Sequence, residues 1–329
     1  MRRSHSRFCP AFFFNLLLAA AVVPSAVAQD ESYRDRQELD PNNDLWINRP
    51  PAAPGTPLGD LEQARAWLAE GDADKAKSLM AGWTKANPDH EQYLEGVFLL
   101  GESFYRLRDF RNAYERYEIV AEGASGELLR TALLREMDVA RAFLSGEKRI
   151  VWGFLPLPAY DDGIEILSKI WQRVPGTRLA EEALRLKADY YFADGQMDFA
   201  QDEYSNLARE YPNGKYTRPA MLRAAEASQA MFTGTPFDDR PLVEARERYR
   251  ALQGAYPEFA RQERIAERLD GIRVSQSEKD LYVAKWYEKT GRRDSAEYYY
   301  RLVLKDWPGT LAEAESRQRL AAMGIELPE

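Results

Sequence analysis

Residues 188–212, ADYYFADGQMDFAQDEYSNLAREYP, decide the fold. From Ala188, Tyr191 lies three positions on, Gly195 seven, Ala200 twelve, Tyr204 sixteen, Leu207 nineteen and Pro212 twenty-four. Two helices packed antiparallel need a small side chain on each where they approach most closely, with large ones beside it to fill the space. After the first helix the chain must reverse through a left-handed residue, which glycine adopts without steric penalty. Asp198 falls near the amino end of the second helix, where negative charge suits the dipole, and Pro212 stops that helix.

The spacing recurs. Ala64, Trp67, Ala76, Met80, Trp83 and Pro88 keep it, as do Ala284, Tyr287, Ala296, Tyr300, Val303 and Pro308. Gly101, Phe104, Ala113, Tyr117 and Val120 follow until Ser125 stands in the proline place. Gly71 and Gly291 supply the turn, and Asp74 and Asp294 the early acid. Gly163, Leu167, Ile170 and Pro175 retain only the second half, and so do Ala245, Tyr249, Leu252 and Pro257. Their first helices are expected at 127–146 and 217–233, across longer loops. The expectation is an all-α solenoid of about six antiparallel hairpins over 58–329, with Leu311 to Met323 as a capping helix. No Val/Ile/Thr-rich alternating strand is expected after Leu58.

This spacing resembles the tetratricopeptide repeat family. In the carboxyl half, PFDDRPLVEARERYRALQGAYPEFA (236–260) and LYVAKWYEKTGRRDSAEYYYRLVLKDWPGT (281–310) resemble the BamD-like family of outer-membrane assembly proteins. The likeness lies in an aspartate-rich insertion, an E-A-x-x-x-Y helix ending in Y-P, and an A-x-Y-Y motif matched in part by Ala284, Trp286 and Tyr287. It spans roughly 90–323 and is clearest over 180–310. It implies a periplasmic protein-binding scaffold that assists insertion of β-barrel proteins. An envelope coordinator of cell division or cell-wall synthesis is the alternative, and a carboxylate-dependent glycan-cleaving enzyme the third reading. Members of the family are usually lipid-anchored through an amino-terminal cysteine, which this chain lacks. The segment 147–160 also lies outside the family's pattern.

The amino end supplies the compartment. Arg2, Arg3 and Arg7 precede an apolar run from Ala11 to Val23, then Pro24 and Ala26-Val27-Ala28. That pattern predicts a cleavable signal peptide over 1–28, since a membrane-spanning helix needs roughly 20 apolar residues. The single cysteine, Cys9, precedes the apolar run, so no lipid attachment site is visible and membrane association is expected to be indirect. Residues 29–57 carry Pro41, Pro50, Pro51, Pro54 and Pro57 and read as a Pro-rich flexible tether. Within it, Trp46 and Ile47 suit either a small docking motif or packing on the first hairpin.

The formal charge of −8 becomes more negative once the signal arginines are removed. An acidic face argues against nucleic acid and leaves proteins as the expected partners. His90, in NPDHEQ, reads as a loop residue, and Asp161-Asp162 and Asp238-Asp239 as helix-start acids. No phosphate loop or hydrolase motif occurs, so no catalytic residue, metal or cofactor is expected.

Candidate partner-binding residues fall in three groups. Tyr105 and Phe192 each follow the core aromatic by one position, with Arg106 and Asp189 nearby, and suit either anchoring a partner in the groove of the first helices or packing against the adjoining repeat. VWGFLPLP (151–158), with Trp152 and Phe154, is an apolar loop that suits either a partner contact or folding back on the third hairpin. Lys285, Lys289, Arg292 and Arg293 form a basic cluster in the last hairpin, where the helix dipole explains Lys289 better than all four. Mass spectrometry of the exported protein is expected to give a chain starting at Gln29, without Cys9 and without an acyl group. A retained Cys9 or a lipid adduct would contradict this reading of the amino end.

Overall fold

The four full repeat segments each fold as two helices joined by a tight turn, at a glycine in three of them. The computed structural model describes residues 37–39, 46–48, 52–151 and 154–326, and the chain divides into two compact units at Gly59 and Asp60. In the first unit, β1 (Gln37–Leu39) and β2 (Trp46–Asn48) pair antiparallel with Glu38 opposite Ile47. This ribbon lies in the stretch read as a tether. The expected signal peptide, Gln29 and the side chains of Trp46 and Ile47 lie outside the described residues.

The repeats run through α1 (Pro57–Glu70), α2 (Ala73–Ala86), α3 (Tyr93–Arg106), α4 (Phe110–Gly123) and α5 (Gly126–Leu144). A second ribbon, β3 (Lys148–Val151) and β4 (Leu155–Pro158), then precedes α6 (Tyr160–Arg173). The chain continues through α7 (Arg178–Ala193), α8 (Met197–Glu210), α9 (Thr217–Ala230) and α10 (Arg240–Ala255). It ends in α11 (Pro257–Gln262), α12 (Ile265–Lys289), α13 (Arg293–Asp306) and α14 (Leu311–Ala322). From α2 onward each of the long helices packs on its neighbours, and the first helices α3, α5 and α7 also touch in sequence. Among the described residues this is a tetratricopeptide-like solenoid of six hairpins with a cap. Its core is a string of five apolar clusters rather than one centre, as repeat stacking requires.

The small residues sit where the spacing places them. Ala64, Ala76, Ala113, Ala188, Ala200, Ala284 and Ala296 are all 0% exposed. A Cβ on Gly101 would stand 2.8 Å from the Tyr117 ring. The degenerate hairpin behaves alike, because a Cβ on Gly163 would meet Leu144 at 3.0 Å and the Ala140 carbonyl at 3.2 Å. Gly71, Gly195 and Gly291 hold φ of 91°, 79° and 73°. In the α3–α4 turn the same place is taken by Arg108 at φ 61°, a conformation that disfavours any side chain.

Helix exits are equally regular. Asn87, Val174, Tyr211, Tyr256 and Trp307, each before a proline, hold φ between −125° and −137° and ψ between 49° and 68°. The proline ring drives its predecessor out of the helical region. Ala124, followed by Ser125, leaves instead at φ −91°, ψ 164°.

The structure corrects two expectations. VWGFLPLP is not an irregular loop: it contributes to β3 and β4, with Ile150 opposite Pro156 and Val151 opposite Leu155. The missing N–H groups of Pro156 and Pro158 are tolerated because β4 pairs on one side only. The second departure is α12, whose 25 residues pack on α10 before its end pairs with α13, with short α11 preceding it. No helix among the described residues is long and apolar enough to cross a membrane.

Gly101→Val is expected to destabilise by about 1–3 kcal/mol, because the Tyr117 ring is held in place and cannot yield. Gly82, inside α2 with open space around its Cβ position, provides the opposite case. Gly82→Ala should stabilise by about 0.8–1.0 kcal/mol through helix propensity. Thermal melts moving both midpoints the same way would contradict the assigned crossings.

Candidate functional site

The first helices carry a row of linked charges. Glu102 of α3 accepts from the Tyr117 hydroxyl at 2.7 Å and takes Arg135 of α5 in a two-point contact at 2.7 and 3.0 Å. Arg135 also reaches Asp138 at 3.3 Å, and Arg141 joins Asp138 at 3.1 Å to Glu182 of α7 at 2.8 Å. Arg185 contacts Glu182 at 3.4 Å and pairs with Asp189, which accepts from the Tyr204 hydroxyl at 2.6 Å. Arg223 of α9 lies 5.0 Å from the Phe192 ring and pairs with Glu226 at 2.9 Å, and Glu226 takes Arg268 of α12 at 2.8 Å. The row therefore crosses five first helices.

Apart from Glu102, which is buried, the members of the row are partly exposed, and ion pairs of that kind contribute about 0–1 kcal/mol each. Their value as stabilisers is small, and their regular alternation makes a polar, pre-organised surface. Between α7, α8 and α9 the surface opens into a cavity of about 180 Å³ lined by Arg185, Asp189, Tyr204, Tyr216, Pro219 and Arg223. Arg185 lies 5.0 Å over the Tyr216 ring, and its Nε is buried without a partner. Burial, followed by the Asp189 hydrogen bond and charge, pushes the Tyr204 hydroxyl well above the usual tyrosine range. Tyr117 shifts the same way through burial and the Glu102 carboxylate.

Each residue singled out from the sequence can now be placed. Tyr105 is half-buried, edge-on to Phe110 at 5.4 Å with Arg135 at 5.7 Å over its ring, so it supports the groove floor. Arg106 is exposed. Asp189 lines the cavity and accepts from the Tyr204 hydroxyl, and Phe192 lies edge-on to the Tyr204 ring at 6.2 Å. Phe154 is 75% exposed at the β3–β4 turn, whose ribbon is fastened to α6 through Arg149 and Asp162 at 2.8 Å. Trp152 lies outside the described residues.

The basic cluster is divided. Lys285 pairs with Glu315 of α14 at 2.6 Å, and Arg293 donates to the Met323 carbonyl at the end of α14. Both thus hold the cap. Arg292 lies 5.8 Å from the Trp286 ring, and Lys289 is exposed. His90 accepts the Gln92 amide at its Nδ1 and sits edge-on to Trp83 at 5.3 Å. Asp161 and Asp162 lie in the first turn of α6, Asp238 pairs with Arg240, and Asp239 begins α10.

A second polar cluster escaped sequence reading. Glu136 of α5 is 0% exposed, with Arg173 of α6 at 3.5 Å and its Oε2 without a partner. Glu118 of α4 takes Arg173 at 2.9 Å, Lys169 at 3.7 Å and the Tyr114 hydroxyl. Burial first, then the Glu118 charge, pushes the Glu136 carboxyl up to about 8 against the pull of Arg173 and Lys169. At its place in the sequence, LLREMDVA, nothing distinguishes this acid from those on the surface.

No family model and no curated protein matches the chain. Among solved structures, the carboxyl-terminal part of a TPR repeat-containing protein from Cytophaga hutchinsonii is similar at 12% identity and TM-score 0.38, covering 80% of this chain and 88% of that one. A tetratricopeptide repeat protein from Parabacteroides merdae is similar at 11% identity and TM-score 0.35, covering 80% and 96%. TPR-like repeats from Podosopora anserina give 15% identity and TM-score 0.34, covering 62% and 99%. Scores this low do not establish a fold, which rests on the hairpin packing above.

The buried carboxyl sets a pH dependence. A group that holds its proton more tightly when folded favours the native state at low pH and loses that advantage as pH rises. Stability should therefore fall between the ordinary glutamate value of 4.5 and about 8, at most by about 1.4 kcal/mol per pH unit. Glu136→Gln should flatten the slope in that window and be the more stable form above it. Equal slopes in denaturant titrations of the two proteins would contradict the assignment.

Proposed function

We propose that this chain is an exported protein-binding scaffold that receives a partner segment along the groove of its first helices. One observation carries the reading: a charged row crosses five first helices, and Tyr216 and Arg223 line a cavity along it, with the Phe192 ring 5.0 Å from Arg223. Rigid aromatic and arginine side chains in such a place are the anchors that interfaces use most.

The finer reading is a periplasmic scaffold of BamD type at the outer membrane, assisting the assembly of β-barrel proteins. It is supported by the motifs at 236–260 and 281–310 and by the signal-like amino end. Those motifs fall on α10, on the end of the long α12 and on α13. In this reading the scaffold is held at the membrane through a partner.

Photo-crosslinking amino acids at Arg106 and Pro219, both exposed on or beside the groove, should capture envelope proteins, while one at the remote Glu258 should not. Phe192→Ala with Arg223→Glu should reduce capture at least about tenfold if these are anchors. Recovery of barrel-assembly proteins supports the BamD-type role, and recovery of cell-wall machinery supports a division or wall role instead. Equal capture at Glu258 would remove the groove as the binding surface.

A further inference from the structure

A second surface lies at the corner where α6 begins, α7 ends and α8 begins. Tyr160 stacks on Tyr190 with centroids 5.8 Å apart and planes at 24°. Tyr190 meets Tyr191 at 5.9 Å, and Tyr191 stacks on Phe199 at 5.2 Å and 27°. Tyr160 is 40% exposed and Phe199 52%. Asp161, Asp194 and Asp198 are exposed beside these rings.

Hairpin packing does not require this patch. The repeat places one aromatic in the first helix at the third position after its small residue, filled by Trp67, Phe104, Tyr191 and Tyr287. Phe199 occupies the eleventh position, where the other well-formed hairpins carry Lys75, Asn112 and Ser295. Tyr190 occupies the second, where two of them carry Ala66 and Ser103. A contiguous exposed aromatic patch beyond structural need marks an interaction site.

Its charge states the chemistry of the occupant. Ring faces carry negative potential and attract cations, and the three aspartates add to it. Asp194 and Asp161 raise the pKa of Tyr190 after burial does, which places their charges close to the ring. The last hairpin shows the filled version of this corner. There Trp286 stands at the second position, next to Tyr287 at 4.9 Å, and Arg292 of the same chain lies 5.8 Å over it. At the α7–α8 corner the place of Arg292 is held by Gln196, which donates to Asp194 at 2.6 Å. Among the described residues no cation lies over Tyr160, Tyr190, Tyr191 or Phe199.

We propose that the Tyr160–Tyr190–Tyr191–Phe199 corner binds an arginine- or lysine-bearing segment of a partner protein. The guanidinium or ammonium sits against the ring faces, with Asp161, Asp194 and Asp198 around it. The inference rests on the scaffold reading but uses a surface separate from the groove.

Fluorescence anisotropy of a labelled (Gly-Arg)₆ peptide with the full chain tests it. Saturable binding is expected, weaker at high salt. Tyr160→Ser with Phe199→Ser leaves the net charge unchanged and should weaken it about tenfold. Tyr160→Phe with Phe199→Tyr should retain it, and so should the groove variant Phe192→Ala with Arg223→Glu. Three results would overturn the proposal: no saturable binding, equal affinity of the serine variant through general attraction to an acidic protein, or loss of binding only in the groove variant. Preferential binding of N-acetylchitohexaose at the corner would also overturn it, in favour of a glycan platform. Circular dichroism of each variant separates these outcomes from misfolding, and groove crosslinking can fail or succeed independently.

Discussion

Close approach of two helices through a pair of small residues is the constraint on which everything else depends. Where alanine or glycine faces alanine, the backbones come near enough for a tyrosine four residues further along to reach across. Tyr117, Tyr204 and Tyr300 do so and each donates to a carboxylate of the first helix, at 2.7, 2.6 and 2.5 Å. Tyr249 donates to Gln229 at 3.0 Å in the hairpin that lacks the standard first half. The ring fills the space beside the crossing, while the hydroxyl avoids the cost of an unpaired buried polar group. A larger residue at the crossing would lose both.

The same tyrosines connect core to surface. Their acceptors, Glu102 and Asp189, are members of the charged row on the first helices. The core thereby orients the row, and the row needs little stability of its own. The two polar networks of the molecule differ for a dielectric reason. The groove pairs beyond the buried Glu102 are partly exposed and remain available to a partner. Glu136 sits in a dry layer between α4, α5 and α6, where one arginine at 3.5 Å does not offset desolvation. It is a source of pH sensitivity rather than a recognition group.

The last hairpin shows how a solenoid ends. Lys285 and Arg293, which suggest a basic docking patch when read along the chain, are turned to α14. Capping helices must cover an apolar face, and Ala312 and Leu320 are buried here as the price of that cover. The aromatic corner of this hairpin has its own arginine, whereas that of the α7–α8 hairpin does not. Repetition makes such a difference visible, because equivalent positions experience the same backbone.

The linear pattern alone determined the hairpins, their crossings, the left-handed turns and the pre-proline exits. These depend on spacings of fewer than about 25 residues, within which helix geometry dictates what meets what. It also located α5 and α9 to within three residues at either end. Tertiary structure decided the rest. Arg135 meets Glu102 across 33 positions, Arg173 meets Glu136 across 37, and Arg141 meets Glu182 across 41. Tyr160 and Tyr190 belong to different hairpins and become one surface only when those hairpins stack. The β3–β4 ribbon escaped because four residues per strand, two of them proline in β4, carry no usable periodicity. Pairings between repeats depend on the angle at which one hairpin packs on the next, and no local spacing encodes that angle.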